Sequence, residues 1–251
     1  MNNQNSKKLV AYITSSYPSN NFSIDLILNL KEAGVDTVEL GIPFSDPVAD
    51  GPVIEKANLK ALSNGFKMKD LFEVSKAVAP QIDTMWMGYM NPFFRYGMEN
   101  ILQKADEFGI NGTIIPDLPF EMTKAYGAMF DKYNKANITF VAPTDSDERI
   151  SELVKDAKKF IYMVAYAGIT GSGQEEDLSS VISNIRKHTQ TPIYLGFGVD
   201  EKTCKEKSKN VDGVIVGSAF IKKLIDDSLS NDEKMKQITA LAKEIKEKIN
   251  E

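Results

Sequence analysis

Eight short runs of apolar, β-branched and aromatic residues punctuate the chain from end to end, and nothing else in it constrains the fold as strongly. They are Leu9–Thr14, Thr37–Ile42, Met85–Met90, Gly112–Ile115, Ile138–Ala142, Phe160–Ala165, Pro192–Phe197 and Gly213–Val216. Between them lie segments of helical period, such as Ile24, Ile27, Leu28 and Leu30, or Ile150, Leu153, Val154 and Ala157. The alternation is strand then helix throughout. Eight such units in 251 residues match a closed barrel better than an open doubly wound sheet, which has fewer strands and one dominant switch point. The expectation is an α/β fold, a single-domain (β/α)8 TIM barrel over residues 1–251.

The units are unequal. The interval between the second and third runs is the longest and holds an extra helical stretch, Val53 to Gly65, before Asp70 to Ala79. The tail from Asp232 to Glu251 carries Met235, Ile238, Leu241, Ile245 and Ile249 at helical spacing, which predicts an amphipathic closing helix packed on the outside.

At 42% hydrophobic and 26% charged residues, the composition suits one large buried core. With 30 basic against 35 acidic residues and no Lys/Arg-rich run, nucleic acid is not an expected partner. No apolar run reaches the roughly 20 residues of a membrane span, and the polar start, Met1 to Lys8, leads straight into a strand, so a cytoplasmic location is expected. Cys204 is the only cysteine, which excludes an internal disulfide and a cysteine-cluster metal site.

Barrel enzymes carry their catalytic groups at the C-terminal ends of the strands. Here those ends supply Tyr12, Glu39, Tyr89, Asn91, Asp117, Tyr162 and the glycines of the last three loops. None is a lysine, which argues against a Schiff-base aldolase, a mechanism that needs a buried amine. The single histidine, His188, precedes the seventh run and belongs to the opposite face, so neither a metal site nor a catalytic histidine is expected. Glu39 ends an apolar run and opens a braced loop, Gly41 to Pro52, with three prolines and two glycines in twelve residues. Such bracing aims Glu39 and Asp50, and two aimed carboxylates point to proton chemistry.

Glycines mark the other half of the site. Gly168-Ile169-Thr170-Gly171-Ser172-Gly173 follows the sixth run, Gly196-Phe197-Gly198 closes the seventh, and Gly217-Ser218 closes the eighth and opens a helix. Backbone amides at such turns can approach an anion closely, and these last loops are where barrels of this kind bind phosphate. An aspartate placed at Gly198 is then expected to fill the anion position with the wrong charge.

These residues together resemble one family, the tryptophan synthase alpha subunits, over nearly the whole chain. The likeness is carried by Val38-Glu39-Leu40-Gly41-Ile42-Pro43-Phe44-Ser45-Asp46-Pro47 with Ala49-Asp50-Gly51-Pro52, and by Tyr89-Met90-Asn91-Pro92, Asp117-Leu118-Pro119, Gly168-Ile169-Thr170-Gly171, Gly196-Phe197-Gly198 and Val216-Gly217-Ser218. The resemblance implies retro-aldol cleavage of indole-3-glycerol phosphate to indole and glyceraldehyde 3-phosphate. It implies that Glu39 is the acid/base at indole C3 and that Asp50 holds the indole N–H. Thr170 would bond Asp50 on lid closure, Tyr162 would stand beside the carboxylates, Tyr89 would contact the substrate, and Tyr12, Met87, Ile114, Phe197 and Ile215 would line the indole slot. Gly171, Gly198, Gly217 and Ser218 would hold the phosphate. Two positions depart from the family pattern: Tyr12 replaces the usual phenylalanine and Tyr166 the usual arginine.

The aromatic loop Asn91-Pro92-Phe93-Phe94-Arg95-Tyr96 is unusual for an active-site face and is expected, with Pro43 and Asp46, to meet a partner. The resemblance implies that this partner is a beta subunit in an alpha2beta2 heterotetramer. No cofactor is expected in this chain, and pyridoxal phosphate would belong to the partner. The rival readings are a stand-alone lyase on the same substrate, another phosphate-binding barrel isomerase or epimerase, and a non-catalytic activator. Epimerases of that kind need His and Asp metal ligands that the strand ends lack, and an activator would not need Glu39 and Asp50.

Overall fold

The computed structural model describes residues 6–164 and 178–251. Among these, nine strands run parallel: β1 (Lys8–Thr14), β2 (Thr37–Gly41), β3 (Asp83–Met87), β4 (Gly112–Ile114), β5 (Ala136–Asn137), β6 (Thr139–Val141), β7 (Ile161–Val164), β8 (Ile193–Gly196) and β9 (Gly213–Val216). The helices are α1 (Asn20–Glu32), α2 (Pro52–Ser63), α3 (Met68–Val78), α4 (Met90–Tyr96), α5 (Met98–Phe108), α6 (Phe120–Lys132), α7 (Asp147–Val154), α8 (Ser179–His188), α9 (Cys204–Lys207), α10 (Ser218–Leu224) and α11 (Asn231–Lys248). Every residue of β2 and β9, and all of β1 except Lys8, is buried. That is the pattern of strands covered on both faces.

The sheet order is β5-β4-β3-β2-β1-β9-β8-β7-β6, so its two edges are consecutive in sequence and joined by Ile138 alone. The first half of this segment pairs with β4, Gly112 opposite Ala136, and the second half with β7, Thr139 opposite Ile161. The Ile138 N–H still donates to Thr113. The fifth apolar run therefore begins two residues earlier than its hydrophobicity indicates and serves two ladders in turn, which closes the barrel.

The predicted insertion is α2, with Pro52 in its first turn, where a missing N–H costs nothing. The closing helix is α11, opened by a Ser230/Glu233 capping box and burying Ile238, Leu241, Ala242 and Ile245. Its Lys246 Nζ reaches the Asp36 carboxylate at 2.7 Å and the Lys7 carbonyl at 2.7 Å, tying the tail to both ends of the β1–β2 unit.

A second element departs from the sequence reading. The third strand ends at Met87, and Met90–Tyr96 is a helix rather than a loop. Neighbours on a helix face different sides, so Phe93 and Phe94 part company: Phe93 is fully buried and Phe94 is 70% exposed. Phe93, expected at a partner surface, is instead core, while Asn91, Phe94 and Arg95 are exposed.

Candidate active site

Glu39 lies in the middle of β2, in register with Tyr12 on β1 and Met85 on β3. Its side chain is 2% exposed, and its Oε1 has no hydrogen-bond partner among the described residues. A carboxylate in that setting loses its hydration without compensation, so burial, with the nearby Asp50 charge second, pushes Glu39 up to about 8.

Asp50 comes from the braced loop. Its N–H donates to Pro47, and the Tyr89 hydroxyl accepts from the neighbouring Ala49 N–H at 3.1 Å while hydrogen-bonding the Asp50 carboxylate. Tyr89 in turn is held by stacking against Phe44, ring centroids 5.6 Å apart. Burial raises Asp50 to about 6, with the Tyr89 bond working the other way. The two carboxyls are thus separated in acidity: near neutral pH Glu39 holds its proton and Asp50 has largely lost its own. Paired carboxyls split in this way divide acid and base work between them.

Both face a cavity of about 460 Å³ at the C-terminal ends of the strands. Tyr12, Met87, Ile114, Tyr162, Phe197, Gly198, Ile215, Gly217 and Ser218 line the same cavity, so the structure brings together most of the residues singled out in the sequence. Tyr89 acts from behind Asp50 instead. Thr170, Gly171 and Tyr166 lie outside the described residues. The sequence reading missed Val53, Ile54, Pro116, Phe140, Val199 and Lys222, which also line the cavity. Phe140 stacks on Tyr162 at 4.9 Å.

Glycines here do two different things. A side chain at Gly41 would collide with the Tyr12 hydroxyl, and one at Gly196 with the Tyr162 ring, so these two make room for phenols. The Tyr12 and Tyr162 hydroxyls are held well above their ordinary acidity range by burial, and both stay neutral. Gly196 therefore serves packing against Tyr162. The remaining glycines fit an anion better: the N–H groups of Gly198, Gly217 and Ser218 donate to no acceptor among the described residues. A Cβ at Gly198 would lie 2.7 Å from Lys207 Nζ, so any side chain there has to displace that ammonium.

Asp117 caps the entry to α4, accepting from the Met90 N–H at 2.7 Å. Around it, Pro43 is buried while Asp46 and Asn91 are exposed, and Val48 is 82% exposed. A second cavity, about 570 Å³, opens on the outer wall between α6 and α7. Its cations are engaged in ion pairs, Lys124 with Glu152, Arg149 with Glu121 and Lys158 with Asp131.

Comparison with known proteins shows the family. The family model for the tryptophan synthase alpha chain matches residues 1–250. The tryptophan synthase alpha chain of Wolinella succinogenes is 56% identical over 245 residues, covering 97% of this chain and 96% of that one. Among solved structures, tryptophan synthase subunit alpha from Campylobacter jejuni superposes with a TM-score of 0.85 at 36% identity, covering 94% of this chain and 96% of that one. A tryptophan synthase from M. tuberculosis in its ligand-free form gives 0.87 at 27% identity, covering 98% of this chain and 94% of that chain. With the model matched almost end to end and a full-length relative more than half identical, the chain belongs to the tryptophan synthase alpha chain family.

Proposed function

We propose that the chain cleaves indole-3-glycerol phosphate to indole and glyceraldehyde 3-phosphate through Glu39 and Asp50, the two carboxyls whose acidities the site pushes apart. That separation is the observation that carries the reading. Glu39, protonated, delivers its proton to indole C3 and turns the ring into a cation. Asp50, ionised, accepts the ring N–H and stabilises that cation. The bond from C3 to the glycerol carbon then breaks, its electron pair returning to the ring. Glu39 takes the proton from the hydroxyl on that carbon as the aldehyde forms, which restores the acid for the next cycle. The ring itself is the electron sink, so no lysine is required.

The apolar slot of Tyr12, Met87, Ile114, Phe197 and Ile215 suits indole, and the free amides of Gly198, Gly217 and Ser218 suit the phosphate. Gly171 and Thr170 complete the phosphate and closure roles. Residues 1–251 act as one catalytic domain. Its partner is a tryptophan synthase beta subunit, with pyridoxal phosphate in that subunit and an alpha2beta2 assembly in the cytoplasm. Exposed Asp46 and Phe94 beside the site entrance support a docking surface there. No described helix is long and apolar enough to cross a membrane.

The test is indole release from indole-3-glycerol phosphate by the full chain. Glu39→Gln should fold and lose roughly 100- to 10,000-fold in turnover, as expected for a positioned acid/base. Near-parental turnover in the folded variant removes Glu39 from the reaction.

A further inference from the structure

Phe197 and Gly198 both adopt left-handed backbone conformations, φ 72° and 65°. Two in succession, one of them a bulky aromatic, are uncommon and need support from outside the turn. The support comes from the short segment behind it. Lys207 Nζ donates to the Phe197 carbonyl at 3.1 Å, and the Thr203 hydroxyl donates to the Gly198 carbonyl at 2.9 Å. Thr203 is fixed by Asp200, whose carboxylate accepts from the Thr203 and Lys202 N–H groups. Lys207 does not line the cavity, so it grips the loop from the far side.

We propose that Lys207 is a positioning residue for phosphate recognition, holding the Phe197 carbonyl so that the Gly198 N–H points into the cavity. The reasoning is that of the planar trans peptide, in which C=O and N–H point in opposite directions. A carbonyl pulled toward Lys207 leaves the amide of the same peptide aimed away from it, toward the open side where Gly198 lines the cavity. The ammonium also adds a positive charge one peptide group behind the anion. It does so without meeting the substrate, since Lys207 does not line the cavity. Burial pulls the ammonium below the ordinary lysine range, so the charge is held there at some cost.

This inference rests on the phosphate reading above, and one titration separates the two. Inorganic phosphate is added to the full chain while the backbone amides of Gly198, Gly217 and Ser218 are followed by NMR and affinity is measured by calorimetry. In the parent all three amides should shift. If none shifts, the phosphate reading fails and this inference with it. Lys207→Met should bind phosphate at least about tenfold more weakly, the scale of losing a hydrogen bond made by a charged group. The same variant should raise KM for indole-3-glycerol phosphate by a similar factor with kcat within about twofold, because phosphate binding is shared by ground and transition states. Lys207→Arg, which keeps charge and donor, should restore most of the affinity. Should Lys207→Met fail to fold, Lys207→Gln is read by the same criterion, since its amide stops short of the carbonyl. Parental phosphate affinity in the folded Met or Gln variant, with the Gly198 amide still shifting, overturns the role of Lys207. So does a lowered kcat at unchanged KM.

Discussion

Glu39 and Asp50 were legible because the chain advertises them: a lone carboxylate in an apolar run and a second in a loop braced by three prolines. What no pattern could show is their electrostatic inequality, which arises from Glu39 being sealed inside the barrel while Asp50 keeps a hydrogen bond to Tyr89. Lys207 and Phe140 were equally silent, since one sits in a charged stretch and the other reads as ordinary core. The weakened acidity of Glu39 has a consequence for stability. Between its ordinary value of 4.5 and about 8, the folded chain holds a proton that the unfolded chain has released, so stability falls as pH rises through that window. Asp50, raised from 3.8 to about 6, acts in the same sense at lower pH. Glu39→Gln removes the larger contribution. Its melting temperature should exceed the parent's, with a margin that widens from pH 5 to pH 8; each kcal/mol corresponds to roughly 2–4 °C for a chain of this size. A margin that narrows with pH would mean that Glu39 is ionised in the folded protein.

Short apolar runs cannot be divided between strand and helix by periodicity alone, and the misreading of α4 traces to that. The apolar run Met85–Met90 spans the end of β3 and the start of α4, and its first polar residue, Asn91, already lies inside the helix. Ala136 and Asn137 are too weakly hydrophobic to announce β5, whose existence depends on pairing with β4. The helical state of α4 separates two adjacent phenylalanines into different jobs. Phe93→Ala empties a fully buried position and should destabilise the isolated chain by about 3–5 kcal/mol, whereas Phe94→Ala should change it by no more than about 0.5 kcal/mol. Denaturant unfolding of the two variants distinguishes them; equal losses would place both rings in the core.

On the scale of the molecule, the eight-unit repeat was enough to indicate a closed barrel, but not how it closes. Closure depends on one segment switching partners at Ile138, a register fact that side-chain hydrophobicity does not encode. The barrel then sets everything else in place: strand ends gather the carboxyls and phenols, and the α2 insertion roofs one side through Val53 and Ile54. Assembly extends the same frame. Phe94→Ala, neutral for the fold, should weaken beta-subunit binding at least about tenfold, as removal of a central aromatic anchor does, and sedimentation of mixed subunits measures it. Undiminished association would move the interface away from α4.

The central claim is that catalysis needs Glu39 neutral and Asp50 charged, and the pH dependence of kcat/KM for indole release measures it directly. The profile should rise with the deprotonation of Asp50 at about 6 and fall with the loss of the Glu39 proton at about 8, the two limbs belonging to the coupled pair. The substrate phosphate also titrates near 6, so the rising limb is assigned by its change in Asp50→Asn and the falling limb stands on its own. A decline above about pH 8 in the parent is the predicted result. Activity that stays level or climbs through that pH would show that ionised Glu39 is the working form, and would contradict the account.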